Sequence, residues 1–387
     1  MDDFDVSNIA QDIINAVKKE YQSMEHLNIL ILGKTGVGKS TLINSAFHEE
    51  LAKTGVGKPV TEHIRPLSKR DFPLTIYDTP GLELSGSHTA EKLLAEVKTL
   101  VKKGIHSGSV SEAIHCIWYC ISTPTHRIEQ AEIDFLKGLC TDSYTRDVPI
   151  VIVLTQSYST SDARALMREI EKERLPIDKI IPVLAKIYVI DGMVIKRPYG
   201  LEELMNAMDE IIPEAVRTTF TSVEKANLGL KKKAAHSAVL RAASRAATIG
   251  AVPIPVADAT LLIPNQVAMI AKITSIFGIS MPKGTIMAVL SGLLGTSGAT
   301  IGGRTIVTSL LKLIPGAGSV VGGAISAATA AALTAALGEA YIIIMAGIAS
   351  GELPADYLSS PEGKKKISEI FKQRLSLKRN KDGIVEP

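Results

Sequence analysis

Cysteine and aromatic residues are scarce in this chain of 387 residues. It has three cysteines, one tryptophan and an aromatic content of 4%. Cys116, Cys120 and Cys140 are too few and too close in sequence to form a disulfide framework, so we expect a reducing compartment, the cytoplasm. The chain starts with acidic residues where a secretory signal would be basic, and the apolar spacing from Val6 to Tyr21 predicts an amphipathic helix.

Charge is almost absent from residues 246–351, where only six of 106 residues are charged. The segments 284–303 and 313–338 carry none, and each is long enough to cross a bilayer, which takes about twenty apolar residues. They are rich in Ala, Gly, Ser and Thr, however, so their transfer free energy into lipid is modest. Two interpretations stay open: a helical bundle in solution, or hairpins inserted into a membrane.

The charges that are present are unevenly divided. Residues 1–221 carry 25 basic and 31 acidic side chains, whereas residues 222–387 carry 18 and 9. The basic residues of the second part cluster in "KKKAAHSAVLRAASRA" and in the tail "KKKISEIFKQRLSLKRNK", which predicts a basic amphipathic helix. An anionic membrane surface is therefore a candidate partner, and nucleic acid or the ribosome is not excluded.

The hexapeptide "KTGVGK" occurs twice, at 34–39 and at 53–58. Only the first copy completes the phosphate-loop pattern of glycine, four residues, then glycine, lysine and a hydroxyl residue, here from Gly33 to Thr41. An apolar run precedes it and a helical pattern follows, so the helix N-terminus adds its N–H groups to an anion site. The second copy has Ala52 and Pro59 at the key positions, which excludes it as a phosphate loop.

Apolar runs alternate with helical patterns from about residue 27 to 212, which predicts a doubly wound, mostly parallel α/β sheet of the phosphate-loop NTPase class. We expect strands at 27–32, 74–78, 113–122, 148–155 and 179–185, with an edge strand near 64–69. Helices are predicted at 41–50, 89–101, 128–139, 161–173 and 201–211. An all-α, Ala/Gly-rich domain should follow. At the end of the second central strand, "LTIYDTPGLE" places Asp78 and Gly81 where a carboxylate and a backbone N–H could meet magnesium and a terminal phosphate.

With these two motifs the sequence resembles the Era-like GTPases, the translation-factor class of small G domains, over about residues 25–212. The resemblance implies GTP or GDP as ligand, Mg as cofactor and GTP hydrolysis as activity. It implies that Ser40, Thr61 and Asp78 hold the metal, and that Lys39, Thr61 and Gly81 form the catalytic set around the phosphates. Thr61 would be the threonine of the first switch, with Thr54 as the alternative, so the second hexapeptide belongs to that switch.

Of two further positions, the first agrees with the Era-like proteins, which commonly have an apolar residue there, and the second departs from their pattern. Leu82 stands where some relatives have a water-orienting glutamine, which implies slow turnover or a catalytic group supplied in trans. The base-recognition motif reads Thr155-Gln156-Ser157-Tyr158 without its aspartate, so we expect guanine to be selected less strictly. Ala185 and Lys186 resemble the last motif, whose N–H meets guanine O6. The predicted nucleotide-binding residues are Gly33, Lys34, Thr35, Gly36, Val37, Gly38, Lys39, Ser40, Thr41, Asp78, Gly81, Thr155, Gln156, Ala185 and Lys186.

The sequence thus predicts four parts. They are an amphipathic helix at 1–24, the Era-like G domain at 25–213, a basic helical linker at 214–245, and a hydrophobic all-α effector or membrane-associating domain with a basic tail at 246–387. The last part resembles a C-terminal domain of unknown function found in some bacterial Era-like GTPases. We expect a slow GTPase switch, with a homodimer through the G domain as a further partner hypothesis. The alternative is a nucleotide-binding module with negligible hydrolysis or relaxed base specificity, acting as an anchoring protein.

Overall fold

The computed structural model describes residues 6–47, 51, 63–68, 72–81, 90–251, 262–279, 281–293 and 327–381. Contacts divide the chain into two compact units. The first unit is Met24–Asn227, and the second combines Met1–Ser23 with Leu228–Pro387. The first helix of the chain is therefore grouped with the helices of the C-terminal part of the chain.

The first unit contains a six-stranded sheet. Its strands are β1 (Leu27–Gly33), β2 (Arg65–Ser68), β3 (Leu74–Asp78), β4 (Cys116–Ser122), β5 (Ile150–Thr155) and β6 (Lys179–Pro182). The order is β2-β3-β1-β4-β5-β6, and every neighbouring pair is parallel except β2 with β3. The register pairs Ile31 with Asp78 and Gly33 with Cys120, so the carboxyl ends of the central strands meet at one edge. The predicted fold class is confirmed.

Helices cover both faces of this sheet. Its central strands are therefore buried on both sides. They are α2 (Lys39–Ala46), α3 (Ala90–His106), α4 (Gln130–Thr141), α5 (Thr160–Lys172), α6 (Leu201–Ile211) and α7 (Glu214–Val223). Leu30 and Tyr119 pack into the cluster formed with α3, α4 and α5. Trp118, which precedes Tyr119 on β4, stacks on Phe47. Its Nε1 donates a hydrogen bond to Met208 Sδ of α6 at 3.0 Å. The tryptophan is thus a core residue.

A short hairpin after β6 is absent from our sequence prediction. Its strands are β7 (Tyr188–Ile190) and β8 (Met193–Lys196), joined by Asp191 and Gly192, whose φ angles are 48° and 80°. Positive φ at both turn residues is the type I′ arrangement, for which Asp-Gly is a strong signal. The alternating apolar residues around "DG" in "YVIDGMVIK" could have revealed the hairpin.

The second unit is a bundle built around a large apolar core, with a smaller cluster at Ala246, Leu262 and Ala330. Its helices are α1 (Val6–Gln22), α8 (Leu228–Gly250), α9 (Leu262–Phe277), α10 (Lys283–Leu293), α11 (Ala327–Ser350), α12 (Ala355–Ser359) and α13 (Pro361–Lys381). Ile13 of α1, Phe277 of α9 and Tyr341 of α11 are all buried in the same cluster. Helix α1 therefore contributes its apolar face to this core.

The structure has two helices where a single linker helix was predicted over 214–245. Helix α7 ends at Val223, and Glu224 is fully buried, with its Oε2 accepting a hydrogen bond from Asn227 N at 2.9 Å. Helix α8 starts immediately afterwards in the second unit. Lys231, which we expected to belong to an exposed basic cluster, is buried and donates from Nζ to Ile276 O at 2.8 Å. Burial removes this lysine from the basic surface.

One described helix is long and apolar enough to cross a membrane by length and composition. It is α11, and most of it is buried inside its unit, as the core helix of a soluble protein would also be. Of the uncharged segments predicted from the sequence, 284–303 is described only as far as residue 293 and 313–338 only from residue 327. Both interpretations of this domain therefore stay open.

Candidate functional site

The phosphate loop runs from the end of β1 to the start of α2. Gly33 has φ 136° and lies so close to the carbonyl of Cys120 on β4 that a Cβ atom there would overlap it. Gly38 caps α2 with φ 96°, a conformation that favours glycine. The loop therefore lies against the sheet edge and directs the first N–H groups of α2 into the space above it, where an anion is favoured.

Lys39 lies across this loop. Its Nζ donates to Gly33 O at 2.8 Å and to Lys34 O at 3.0 Å, so the amine is held at the centre of the turn. Burial lowers the pKa of Lys39, while the nearby Cys120 and Asp78 act in the opposite direction. The loop thus places one partly desolvated cation where phosphate oxygens would bind.

Asp78 ends β3 beside the loop and is 6% exposed. Its Oδ1 is buried and has no hydrogen-bond partner among the described residues, and its Oδ2 lies 3.7 Å from Arg65 on β2. Burial raises the pKa of Asp78, although Lys39 and Arg65 oppose that shift. A buried, unpartnered carboxylate oxygen suits Mg²⁺, which prefers hard oxygen ligands and keeps several positions for water and phosphate. The residues present therefore fit the predicted cofactor.

The segment after β3 contacts the phosphate loop directly. Thr79 Oγ1 donates to Ile31 O at 2.9 Å, which ties this segment to β1. A Cβ atom on Gly81 would overlap the Thr35 side chain and come within 2.6 Å of Thr35 N. Gly81, predicted to meet a terminal phosphate, therefore packs against the loop that would carry that phosphate.

The side chain of Lys34 has acidic partners of its own. Its Nζ lies 2.8 Å from Glu129 Oε1 and 3.0 Å from Glu132 Oε2, and these two carboxylates also form the capping box at the start of α4. Burial acts to lower the pKa of Lys34, but the hydrogen bonds to the two glutamates raise it overall. The ammonium group of Lys34 is thus held at the start of α4. Lys34 contributes to the phosphate loop through its backbone.

Thr155 and Gln156 join the end of β5 to the phosphate loop. Thr155 Oγ1 donates to Val37 O at 2.5 Å, and Gln156 Nε2 donates to Gly36 O at 3.2 Å. Gln156 has a φ of 52° and also accepts a hydrogen bond from Ser122 Oγ at 2.7 Å. The glutamine that replaces the lysine of the family motif therefore bridges two loops of the site.

A pocket of about 170 Å³ opens beside these residues. Ala185 and Lys186 lie in it as predicted, and so do Tyr158 and a residue that our sequence prediction missed, Tyr188. The lining residues are Gly38, Thr41, Leu42, Thr155, Gln156, Tyr158, Val183, Leu184, Ala185, Lys186, Ile187 and Tyr188. The position beyond the phosphate loop and between the last two motifs is where the resemblance places a base.

Several predicted residues cannot be placed in this geometry. Thr61, Thr54 and Leu82 lie outside the described residues. His115 precedes Cys116 in the sequence and is buried: its Nδ1 accepts a hydrogen bond from Asn28 N, and its Nε2 pairs with Val110 O. No group of three or more potential metal-binding His, Cys, Asp or Glu occurs in the described part of the chain.

Comparison with known families adds to this geometry. Residues 28–156 match the family model described as 50S ribosome-binding GTPase. The first unit carries a GTP-binding G domain. Residues 216–380 match a second model, described as a domain of unknown function (DUF697), which spans helix α8 and most of the second unit. The prediction of a GTPase followed by a C-terminal domain of unknown function is confirmed at this level.

Curated relatives match part of this chain. Translocase of chloroplast 108 from Physcomitrium patens is 34% identical over 104 residues, which are 26% of this chain and 10% of the relative. Neuronal-specific septin-3 from Danio rerio is 30% identical over 166 residues, or 36% of this chain and 44% of the septin. The chain thus spans from about a tenth to less than half of the length of these relatives. They support a GTP hydrolase and do not single out the Era-like class.

Solved structures of similar fold include a probable GTP-binding protein, engB, with a TM-score of 0.34 and 18% identity, covering 48% of this chain and 97% of that one. Toc33 from Arabidopsis thaliana in complex with Mg²⁺ and GMPPNP has a TM-score of 0.33 and 18% identity, covering 55% and 91%.

Proposed function

We propose that this protein is a Mg-dependent GTP-binding switch that hydrolyses GTP slowly and couples its nucleotide state to the helical second unit. The observation that carries the proposal is that Lys39 and Asp78 lie at one edge of the sheet: Lys39 Nζ donates to Gly33 O at the end of β1, and Asp78 ends the neighbouring strand β3. A cation for the phosphates and a carboxylate for the metal are the two charges that phosphoryl transfer requires.

Each residue has a role that follows from its position. The N–H groups of the loop and of the first turn of α2 bind phosphate oxygens, and Lys39 neutralises their charge. Ser40 and Asp78, with Thr61 of the proposed switch, would hold Mg, which supplies charge neutralisation between the phosphates. Gly81 offers its N–H to the terminal phosphate, so it senses the difference between GTP and GDP.

Hydrolysis is slow in this proposal because Leu82 cannot orient water. We place the missing group in trans, supplied by a second copy of the chain through its G domain or by another protein. The class of the enzyme within the small GTPases is proposed to be Era-like, on the strength of the motifs at Gly33–Thr41 and Asp78–Gly81.

Single-turnover GTP hydrolysis tests this function with a control inside the chain. Lys39→Ala should lower nucleotide affinity by about two orders of magnitude or more, because charge-assisted bonds to phosphate are lost. Lys58→Ala changes the same lysine of the second hexapeptide and should leave affinity within about threefold, because that copy has Ala52 and Pro59 at the key positions of the phosphate-loop pattern. A rate per molecule that rises with protein concentration would support a group supplied by a second copy. Equal loss of affinity in both variants, or no phosphate release at any concentration, would refute the proposed function.

We also propose that the protein is cytoplasmic and works at an anionic membrane surface through its second unit. The exposed basic residues Lys232, Lys233, Arg241 and Arg245 of α8 supply the attraction.

A further inference from the structure

We propose that Tyr158 and Tyr188 form an aromatic wall that holds the purine base by stacking, and that the site does not read the 2-amino group of guanine. This inference rests on the proposed function and concerns its specificity. The two rings have centroids 4.3 Å apart and an interplanar angle of 36°. Both line the pocket, and Tyr158 is 39% exposed, so aromatic surface is available to a planar ligand.

The polar groups around the pocket support this specificity. A carboxylate is the group that accepts hydrogen bonds from guanine N1 and its 2-amino group together, and none occurs among the described residues that line the pocket. Neither Asp162, in the first turn of α5, nor Asp191, in the turn between β7 and β8, lines the pocket. Backbone N–H groups at Ala185 and Lys186 can donate to guanine O6 but not to the amino group of adenine. The pocket therefore favours a 6-oxopurine and is indifferent to position 2.

The loop that carries Tyr158 is fixed by the segment that carries Tyr188. Lys196 Nζ donates to Tyr158 O at 3.2 Å and lies 4.5 Å from the centre of the Tyr199 ring. Tyr199 OH donates to Ser157 O at 2.9 Å, and Leu184 and Tyr199 exchange two backbone hydrogen bonds of 3.0 Å. The hairpin β7–β8 thus holds the aromatic wall in place before a base arrives, which reduces the entropy lost on binding.

Displacement of a fluorescent GTP analogue from the full chain by GTP, ITP and ATP tests the inference. ITP lacks only the 2-amino group, so it should bind within about threefold of GTP, whereas loss of a paired hydrogen bond would cost about tenfold or more. ATP should bind more weakly than both. Tyr158→Ala and Tyr188→Ala should each weaken GTP and ITP equally, by about five- to tenfold, because a stacking surface is lost.

Three further variants make the result specific. Tyr188→Phe keeps the ring and should weaken GTP and ITP binding less than Tyr188→Ala does. Tyr158→Asp introduces the missing carboxylate and should increase the preference for GTP over ITP. Tyr357→Ala removes a tyrosine of nearly the same exposure, 38%, from the second unit and should change nothing.

The outcomes separate this inference from the proposed function. Strong preference of the wild type for GTP over ITP, or unchanged affinity in both tyrosine-to-alanine variants, overturns the aromatic wall while nucleotide binding stands. Failure of every nucleotide to displace the analogue, or displacement unaffected by Lys39→Ala, overturns the proposed function and the inference with it.

Discussion

At Gly81 the segment after β3 packs so closely against the phosphate loop that there is no space for a side chain. A side chain there would overlap Thr35 and come within 2.6 Å of its backbone nitrogen. We predict that Gly81→Ala slows GTP hydrolysis by about tenfold or more, since catalytic geometry is sensitive to shifts of an ångström. GDP affinity should stay within about threefold, because GDP lacks the terminal phosphate that Gly81 is proposed to meet. Phosphate release and GDP titration measure the two effects.

The matched control for this variant is Gly284→Ala. Gly284 lies in the first turn of α10, its φ is not in the positive range, and an added Cβ would meet nothing within 4 Å. Its hydrolysis rate and GDP affinity should equal those of the wild type. An equal loss of GDP affinity and of hydrolysis in Gly81→Ala would contradict the assigned role, since it would point to general damage to the phosphate loop.

At the scale of elements, α1 is the clearest case of a helix whose role depends on distant residues. Ile13 is fully buried in the core of the second unit, and Tyr21 OH donates to Ser275 O of α9 at 3.4 Å. We predict that Ile13→Ala lowers the free energy of unfolding of the second unit by about 2–4 kcal/mol, because a cavity replaces a packed side chain. Hydrogen exchange of the full chain measures this as faster exchange in α8 and α9.

Asn15→Ala alters the exposed face of the same helix and should leave exchange in the second unit unchanged, within about 0.5 kcal/mol. The strands of the first unit should keep their protection in both variants. Unchanged hydrogen exchange of α8 and α9 in Ile13→Ala would contradict the packing of α1 in this bundle.

At the scale of the whole molecule, the basic surface of the second unit predicts how the protein meets a membrane. Exposed lysines and arginines contribute about 1 kcal/mol each near an anionic surface, and the attraction falls with salt. We therefore predict that the full chain floats with liposomes containing acidic lipid at low salt and is released at high salt or from neutral liposomes. The double variant Lys232→Glu and Lys233→Glu should weaken flotation.

The control reverses two exposed lysines of helix α3 in the first unit, Lys102→Glu and Lys103→Glu, and should float like the wild type. Failure of the wild type to float with any lipid would refute the membrane proposal. Flotation that resists salt and occurs with neutral lipid would also contradict it, because apolar insertion rather than surface charge would then be responsible.

The sequence by itself determined the phosphate loop and the class of the sheet, doubly wound and mostly parallel. Gly33, Lys39 and Asp78 could be assigned because a phosphate loop is one continuous segment between a strand and a helix, and parallel strands bring their carboxyl ends to one edge. The helix at Leu201–Ile211 and the strand at Leu74–Asp78 were predicted with the observed bounds for a similar reason, since apolar periodicity is a local property.

Only the tertiary structure decided which distant segments share a core or a pocket. Hydrophobic spacing shows that α1 has an apolar face but not which helices cover it, and a run of lysines does not reveal that Lys231 is buried against Ile276. Tyr188 lies beside Tyr158, which is thirty positions earlier in the sequence, because β6 pairs with β5 and the segments after these two strands run to the same pocket. Burial and ring contact arise from packing between remote parts of the chain, and local sequence pattern carries little information about such packing.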